Sequence, residues 1–376
     1  MTALSPRGRS TETFSGRSPE VVAQLYRLGS DGLWHSPGRT DINPSFIVGV
    51  TKPDATNTGI AALGLSRDDL TDTDTSTFVP VAGTTYTGLN FTGPSIIAAV
   101  TGVTFEHCYF GCGTNTTGLA QVNLFNAGTW DWTFNNCIFR PDETAPVELD
   151  NVGGHDFTVY RCDLSGGTDG VGIFNTHNSG GPVNVQILGC YMHGFAFNND
   201  DPDHESDSSH PGWSHNDLLT QIQGGSNIMI KGNNVQVYLD PDRSVGYLTT
   251  PNANAALTYL NYGAGVTISP NVSAVSEVTI TQNWFNGGTA VFQMNSAQYS
   301  GGTSSIGDLS YNRFGLDQHS FGALGKYQIR MNSGLNFTGL TTNYFDPDDP
   351  TAISAGVAGN AFSEGLTTGI RINGVD

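Results

Sequence analysis

Basic residues are scarce in this sequence. It has 15 lysines and arginines against 34 aspartates and glutamates, which gives a formal net charge of -19. A surface this acidic repels the phosphate backbone of nucleic acids, so we do not expect nucleic-acid binding. The acidic balance is compatible with binding of a cation or a neutral sugar, and equally with a surface that is merely solvated.

Long apolar runs are also missing. No window approaches the length of a membrane-spanning helix, so we expect no membrane insertion. The first 30 residues lack the apolar core of a secretory signal peptide. We therefore expect synthesis in a cytoplasm and, if the protein acts outside a cell, release by a route other than secretion.

The chain has only five cysteines, an odd number that argues against a disulfide framework. Long strings of the helix formers Ala, Glu, Lys and Leu are absent. In their place are 48 glycines and many β-branched, asparagine and aromatic residues. This composition favours an all-β chain with many tight turns.

An eight-residue pattern recurs along the chain, with apolar residues at its third and eighth positions and Cys or Asn at its sixth. The copies are VTFEHCYF (103–110), WTFNNCIF (132–139), FTVYRCDL (157–164), VQILGCYM (185–192), IMIKGNNV (228–235), VTITQNWF (278–285), GDLSYNRF (307–314) and TGLTTNYF (338–345). The sixth residues, called marker residues below, are Cys108, Cys137, Cys162, Cys190, Asn233, Asn283, Asn312 and Asn343.

The marker residues are 29, 25, 28, 43, 50, 29 and 31 residues apart. Most of these spacings fit one coil of a parallel β-helix, in which each coil buries its apolar face against the next. Cysteines are small buried hydrophobes, and asparagines can hydrogen-bond along a stack, so we predict one inward column of marker residues. Second strands recur between the markers: QVNLF (121–125), PVELD (146–150), VGIFN (171–175), LLTQI (218–222), AVFQM (290–294) and YQIRM (327–331).

The predicted fold is therefore all-β: a right-handed, single-stranded parallel β-helix over residues 51–345. A short irregular N-terminal leader (1–50) precedes it, and a C-terminal cap (346–376) follows it. The two longest spacings place insertions near 193–215 and 236–256. Long excursions from a rigid scaffold are common places for binding.

Four segments carry a family resemblance: KPDATNTGIAA (52–62), GGTDGVG (166–172), HNDLLTQ (215–221) and GGSNIMIKGN (224–233). They resemble a group of actinobacterial and actinophage right-handed β-helix proteins with a pectate-lyase-like fold. Leu218 stands where that family usually has glycine, so the third motif is degenerate. The resemblance covers about three-quarters of the chain, and it is more specific for fold than for activity.

The leader carries five of the 15 basic residues and resembles the attachment segment of a phage minor tail protein or tailspike. That resemblance implies a homotrimer in the virion, which binds other phage tail proteins through the leader and contacts host cell-envelope glycan. A flexible tail without function is the alternative for the leader. For the whole chain, a carbohydrate-active enzyme and a bacterial β-helix protein with no virion role stay open.

Asp169 and Asp217 each stand just before a predicted second strand, on adjacent coils. Carboxylates on neighbouring coils, about 4.8 Å apart, can act as acid and base in a glycan hydrolase or lyase, or share a cation. His215 is a third catalytic candidate because it lies two residues before Asp217. Turn capping by these aspartates is the structural alternative, and sugar contact without chemistry is another.

Four further residues are candidates for ligand binding. Trp213 offers an apolar platform for a sugar ring, and Gln221 lies further along the strand of Asp217. His193 ends a marker segment just before the first insertion. Trp284 precedes a core phenylalanine by one position, so we expect it to face outward.

Alternating acidic residues occupy the first insertion. Asp201, Asp203, Glu205 and Asp207 are hard oxygen ligands in a loop, which suggests a calcium site. The EF-hand pattern fails, however, because its sixth-position glycine and twelfth-position glutamate are missing. A solvated acidic loop is the alternative, and the predicted function requires no cofactor.

Overall fold

The computed structural model describes residues 27–28, 34–35, 51–97, 99–113, 120–125, 129–142, 149–173, 182–195, 217–237, 264–270, 272–287, 290–294, 298–299, 302–303, 307–316, 327–332, 337–362 and 370–373. The leader is thus described only at Arg27–Leu28 and Trp34–His35, two short antiparallel strands. Predictions on other residues lie outside the described part of the chain.

Three parallel sheets form the body of the protein, and each coil adds one strand to each sheet. Sheet 1 contains Thr85–Thr87, Thr104–Glu106, Trp132–Asn135, Phe157–Tyr160, Pro182–Leu188, Ser226–Lys231, Val278–Thr281 and Asp308–Ser310. Sheet 2 contains Thr71–Asp74, Leu89–Thr92, Tyr109–Phe110, Ile138–Phe139, Asp163–Leu164, Tyr191–Met192, Asn234–Val237, Trp284–Gly287, Arg313–Phe314 and Tyr344–Phe345. Sheet 3 contains Ile96–Ile97, Ala120–Leu124, Asp150–Gly154, Asp169–Ile173, Asp217–Ile222, Ala264–Ile268, Ala290–Met294, Tyr327–Asn332 and Ile370–Asn373. This strand order confirms the predicted parallel β-helix.

The eight-residue pattern marks the corner between sheets 1 and 2. The residue before each marker from Cys108 to Asn312 has left-handed backbone geometry, and five of these residues are not glycine: His107, Asn136, Arg161, Gln282 and Tyr311. Each copy of the pattern from 103–110 to 307–314 therefore bends at its fifth residue, because an αL residue reverses the chain direction.

The marker residues form the predicted inward column, and all eight are fully buried. Asn233 Nδ2 donates to Asn283 Oδ1 at 3.0 Å, and Asn283 Nδ2 donates to Asn312 Oδ1 at 2.9 Å. Asn312 Nδ2 continues the ladder to Asn343 Oδ1 at 2.9 Å. Buried amides are satisfied in this way coil after coil, which fixes the stacking register.

Aromatic rings fill the core beside this column. Phe110 and Phe139 stack with ring centroids 4.5 Å apart and nearly parallel planes. At the N-terminal end Phe78 covers the core, with its ring 4.9 Å from that of Phe91. At the C-terminal end Phe362 lies 4.8 Å from Phe345. Both ends of the apolar core are therefore closed by an aromatic side chain.

Few elements lie outside the three sheets in the described residues. Ile60–Leu63, Arg67–Asp69 and Leu340–Thr342 are 3-10 helices, and Pro350–Ser354 is a short α-helix. Gln298–Tyr299 pairs antiparallel with Gly302–Thr303. The segment after Phe345 breaks the repeat, but its strand Ile370–Asn373 returns to sheet 3 beside Tyr327–Asn332.

Residues 52–67 form a strap along the outside of sheet 2. Its first residue, Lys52, lies 3.3 Å from the carboxylate of Asp346 at the C-terminal end. Next along the strap, the Pro53 carbonyl accepts from Asn234 at 2.7 Å, and the Asn57 carbonyl accepts from Arg161 at 3.0 Å. The strap therefore runs against the order of the coils.

Arg67 ends the strap near the first coils. Its guanidinium forms an ion pair with Asp142, donates to Asn90 Oδ1 at 2.9 Å and lies 4.3 Å over the ring of Tyr109. Contacts at both ends of the strap therefore connect the last coils to the first ones, although these coils are far apart in sequence.

Both predicted insertions connect sheet 2 to sheet 3. The first lies between Tyr191–Met192 and Asp217–Ile222, and the second between Asn234–Val237 and Ala264–Ile268. Residues 196–216 and 238–263 lie outside the described part. Among the described helices, none is long and apolar enough to cross a membrane.

Candidate functional site

Three consecutive strands of sheet 3 begin with aspartate: Asp150–Gly154, Asp169–Ile173 and Asp217–Ile222. Asp150 and Asp169 are direct Cα partners across two parallel strands. The strand of Asp217 is the next neighbour, paired from Val171 with Thr220 onward. A row of aspartates therefore lines the corner between sheets 2 and 3, where the long insertions also start and end.

Asp150 was missed in the sequence because the predicted strand boundaries were four residues too early. The predicted strand PVELD ends at Asp150, whereas the observed strand starts there and reads DNVGG (150–154). When the two observed strands are aligned from their first residues, D-N-V-G at 150–153 matches D-G-V-G at 169–172. This short repeat, 19 residues apart, is the signal that could have found the first aspartate.

Glycines on two coils make room for the Asp150 carboxylate. A Cβ built on Gly172 would lie 2.2 Å from Oδ2 of Asp150, and one built on Gly153 would lie 3.0 Å from the same oxygen. The carboxylate therefore reaches from its own coil over the next one. Any side chain at Gly172 would occupy its place.

The ring of Phe125 borders the same position. Its Cζ lies 2.7 Å from the point where a Gly153 Cβ would stand, and the side chain is half-buried. An aromatic ring beside a carboxylate is a combination that sugar-binding sites use: the ring contacts apolar C–H groups while the acid accepts hydroxyl hydrogen bonds.

Buried polar contacts hold the start of the Asp150 strand in place. Asn151 Nδ2 donates to Gln121 Oε1 at 2.7 Å, and Gln121 Nε2 donates to the carbonyl of Phe110 at 2.9 Å. On the next coil, Thr168 Oγ1 accepts from the Leu149 amide at 2.8 Å. The residues before both aspartates are thereby fixed to each other, which preorganises the pair.

Asp169 itself is 6 % exposed. Gln221 lies opposite Gly172 on the following strand, at the register position next to the Asp150 carboxylate. The side chains of Asp217 and Gln221 lie outside the described part. The separation of the Asp169 and Asp217 carboxylates therefore stays a prediction.

His193 lies on a different sheet from the aspartates. It follows the sheet 2 strand Tyr191–Met192, its Nε2 lies 3.0 Å from Asp163 Oδ1, and its ring stacks on Tyr191 with centroids 4.1 Å apart. Its contacts are those of a packed histidine on the outer face of sheet 2.

Trp284 is not the open platform that its position suggested. Its residue is only 6 % exposed, and the guanidinium of Arg313 on the next coil lies 4.3 Å over its ring. The expected outward orientation of the Trp284 side chain is compatible with this stacking. However, the cation–π contact with Arg313 already covers the ring face that a sugar would need.

The remaining site predictions lie outside the described residues: His215, Trp213, Asp201, Asp203, Glu205 and Asp207. In the described part of the chain, no group of three or more His, Cys, Asp or Glu residues could hold one metal ion. A calcium site in the first insertion therefore remains a prediction.

A cation beside the carboxylates would favour a lyase. Arg161 donates to the strap at Asn57, and Lys231 belongs to a strand of sheet 1. Neither lies on sheet 3 with Asp150 and Asp169. The described side chains at this position, Asp150, Asp169 and Phe125, therefore combine acidic and aromatic groups that suit a hydroxyl-rich ligand.

No protein-family model matches the chain, and no curated protein matches it. Among solved structures it is similar to a mutant tailspike protein of the E. coli bacteriophage HK620, with 12 % sequence identity and a TM-score of 0.42. The match covers 77 % of this chain and 53 % of that chain. The chain thus spans about half the length of that tailspike.

Proposed function

We propose that this chain is a recognition component of a bacteriophage tail, a minor tail protein or tailspike, that binds a host-envelope glycan at the aspartate row of sheet 3. One observation carries the binding site. The Asp150 carboxylate lies over the glycines of two coils beside the ring of Phe125. Carboxylate, aromatic edge and backbone floor together match the needs of a sugar ligand.

The tail assignment rests on the sequence. The Arg-rich leader, the acidic body and the resemblance to actinophage β-helix proteins support it. In this proposal the protein is a homotrimer of the virion, and the leader (1–50) contacts other tail proteins. Gln221 and Trp213 extend the glycan contact from the neighbouring coil and the adjoining insertion.

Glycan hydrolysis is the second candidate function, and the Asp150–Asp169 pairing favours it over elimination. Carboxyl groups about 5 Å apart suit a retaining glycosidase, and wider pairs suit an inverting one. In this alternative Asp169 works with Asp150 or with Asp217, and His215 assists. Direct Cα pairing of two aspartates is the specific observation behind it.

Cell-wall arabinogalactan and related envelope glycans, immobilised on a surface, test both functions with the full chain. We expect wild-type protein to bind, and Asp150→Asn and Asp169→Asn to bind at least tenfold more weakly. Asp68→Asn is the matched control, because Asp68 is exposed just after the strap. Equal binding by all four proteins would overturn the proposed site. Release of oligosaccharide by wild type and Asp68→Asn, but not by Asp150→Asn or Asp169→Asn, would establish cleavage at the site, and products without a new carbon–carbon double bond would identify hydrolysis.

A further inference from the structure

The first half of the marker column is a row of four thiols on consecutive coils. Cys108, Cys137, Cys162 and Cys190 are fully buried and free. Sγ of Cys162 lies 3.4 Å from the amide nitrogen of Cys137. The corresponding position in the second half is taken by the amide oxygens of the asparagine ladder. The four sulfur atoms therefore follow each other at the coil spacing.

These thiols have weak partners. Cys137 Sγ lies 3.5 Å from the carbonyl of Phe105, and Cys190 Sγ lies 3.5 Å from the carbonyl of Val159. A thiol is a poor hydrogen-bond donor, so these contacts contribute little and the sulfur lone pairs stay open to a better ligand. The proposed glycan function makes no use of this column.

The coil spacing matches the span of a linear metal bridge. Neighbouring parallel strands are about 4.8 Å apart, and two metal–sulfur bonds of about 2.3 Å each span about 4.6 Å. A column offers two in-line ligands to an ion between coils, whereas a tetrahedral ion needs four ligands around one point. The described residues contain no such group of three or more ligands.

The apolar surroundings of the cysteine column favour an ion of a particular charge. The column lies among core rings such as Phe105, Phe110 and Phe134. A divalent ion with two thiolates is neutral, whereas a monovalent ion with two thiolates leaves one negative charge in the core. Burying that charge without a partner is costly. Thiolate ligands select soft ions over hard ones.

We propose that the cysteine column binds soft divalent ions that prefer linear two-coordination, with one ion bridging two adjacent thiolates and at most two ions per chain. Each ion forms two metal–sulfur bonds and displaces two protons to solvent. Binding is therefore coupled to deprotonation and strengthens as pH rises.

The fifth cysteine provides a matched control. Cys112 is also fully buried, and burial raises its pKa to about 12. Its Sγ lies 3.9 Å from the carbonyl of Gln121, off the column. It has the same chemistry and burial as the column thiols but no neighbouring thiol to share an ion.

Titration of the full reduced chain with mercuric chloride tests the proposal. Proton release, bound mercury per chain and sulfur coordination by X-ray absorption are the measurements. We expect two ions and four protons per chain, with two sulfurs on each ion, and a raised melting temperature. Cys112→Ser should still bind two ions, whereas Cys137→Ser should bind one.

Cys190→Asn provides a second test, because asparagine is the marker residue of the next coil and extends the existing ladder. It should remain folded and bind one ion. Five ions per chain, one sulfur per ion, no binding by wild type, or equal stoichiometry in Cys112→Ser and Cys190→Asn would each overturn the proposal.

Discussion

Asp150 lies directly opposite Asp169 on neighbouring strands of sheet 3. Like charges in this arrangement oppose folding, and the chain adds a glycine, Gly172, whose missing side chain gives the Asp150 carboxylate its place. Two features that do not stabilise the fold, the facing aspartates and the strand glycine, therefore occur at the same position. Such local conflicts concentrate at functional sites.

Gly172→Ala should remove ligand binding without changing any charge. The new Cβ would stand 2.2 Å from Oδ2 of Asp150 and must push the carboxylate aside. We expect glycan affinity to fall at least tenfold, about 1.4 kcal/mol, in a surface-binding assay. Gly111→Ala is the control, since its Cβ would lie 2.6 Å from Oδ2 of a different carboxylate, Asp142, which is paired with Arg67. Unchanged affinity in Gly172→Ala would contradict the site.

Asn283→Ala should strongly destabilise the fold. Asn283 Nδ2 donates to the Ile230 carbonyl at 3.1 Å and to Asn312 Oδ1, while its Oδ1 accepts from the amide of Asn233. The change leaves several buried groups unsatisfied, at a cost of roughly 2 to 4 kcal/mol. Urea denaturation measures it, with exposed Asn360→Ala as a control expected within about 0.5 kcal/mol of wild type. A loss below 1 kcal/mol would show that the ladder contributes little.

Alanine substitutions at two glycines of the strap distinguish the cost of backbone strain from the cost of lost packing. Gly59 (φ 58°) and Gly64 (φ 72°) share left-handed geometry, but a Cβ on Gly59 would lie 2.7 Å from Cγ1 of Ile138, and one on Gly64 would meet nothing within 4 Å. Gly64→Ala should cost about 1 kcal/mol, measured by denaturation. Gly59→Ala should cost at least twice as much and expose the strap to proteolysis. Equal losses would mean that the strap does not pack tightly on sheet 2.

Lys231 should make stability rise with pH above neutrality. Burial lowers its pKa to about 8, whereas the unfolded value is about 10.4. Between these values the folded chain binds fewer protons than the unfolded chain, so the free energy of unfolding increases with pH across this window. Below pH 8 Lys231 is protonated in the folded chain too, so the full free-energy cost of burying its ammonium group reduces stability.

Lys231→Met should therefore raise the free energy of unfolding at pH 7 by roughly 1 kcal/mol and flatten its rise between pH 8 and 10. Urea denaturation at pH 7 and pH 9.5 checks both effects. Lys52→Met, which removes a half-buried lysine paired with Asp346, should leave the slope unchanged. A steeper slope in Lys231→Met would be incompatible with a buried, destabilising ammonium.

The candidate site could be only partly predicted, and the position of one strand is the reason. Asp169 and the later sheet 3 strands were placed from their apolar residues, but the preceding strand was placed at PVELD, four residues before the observed DNVGG. Pairing with Asp169–Ile173 fixes its start at Asp150, because local sequence alone does not define strand boundaries. Trp284 shows a related limit: its place follows from the repeat, but Arg313 above its ring depends on how the next coil stacks.

The sequence by itself determined the coil repeat, the marker column and the parallel β-helix. Each coil carries its own apolar positions and its own Cys or Asn, so this information is local and repeated eight times. Only the tertiary structure decided the strap over sheet 2, the room for Asp150 above Gly172 and the contact of His193 with Asp163. These features join residues from different coils, and their geometry depends on how the coils stack, which no single repeat encodes.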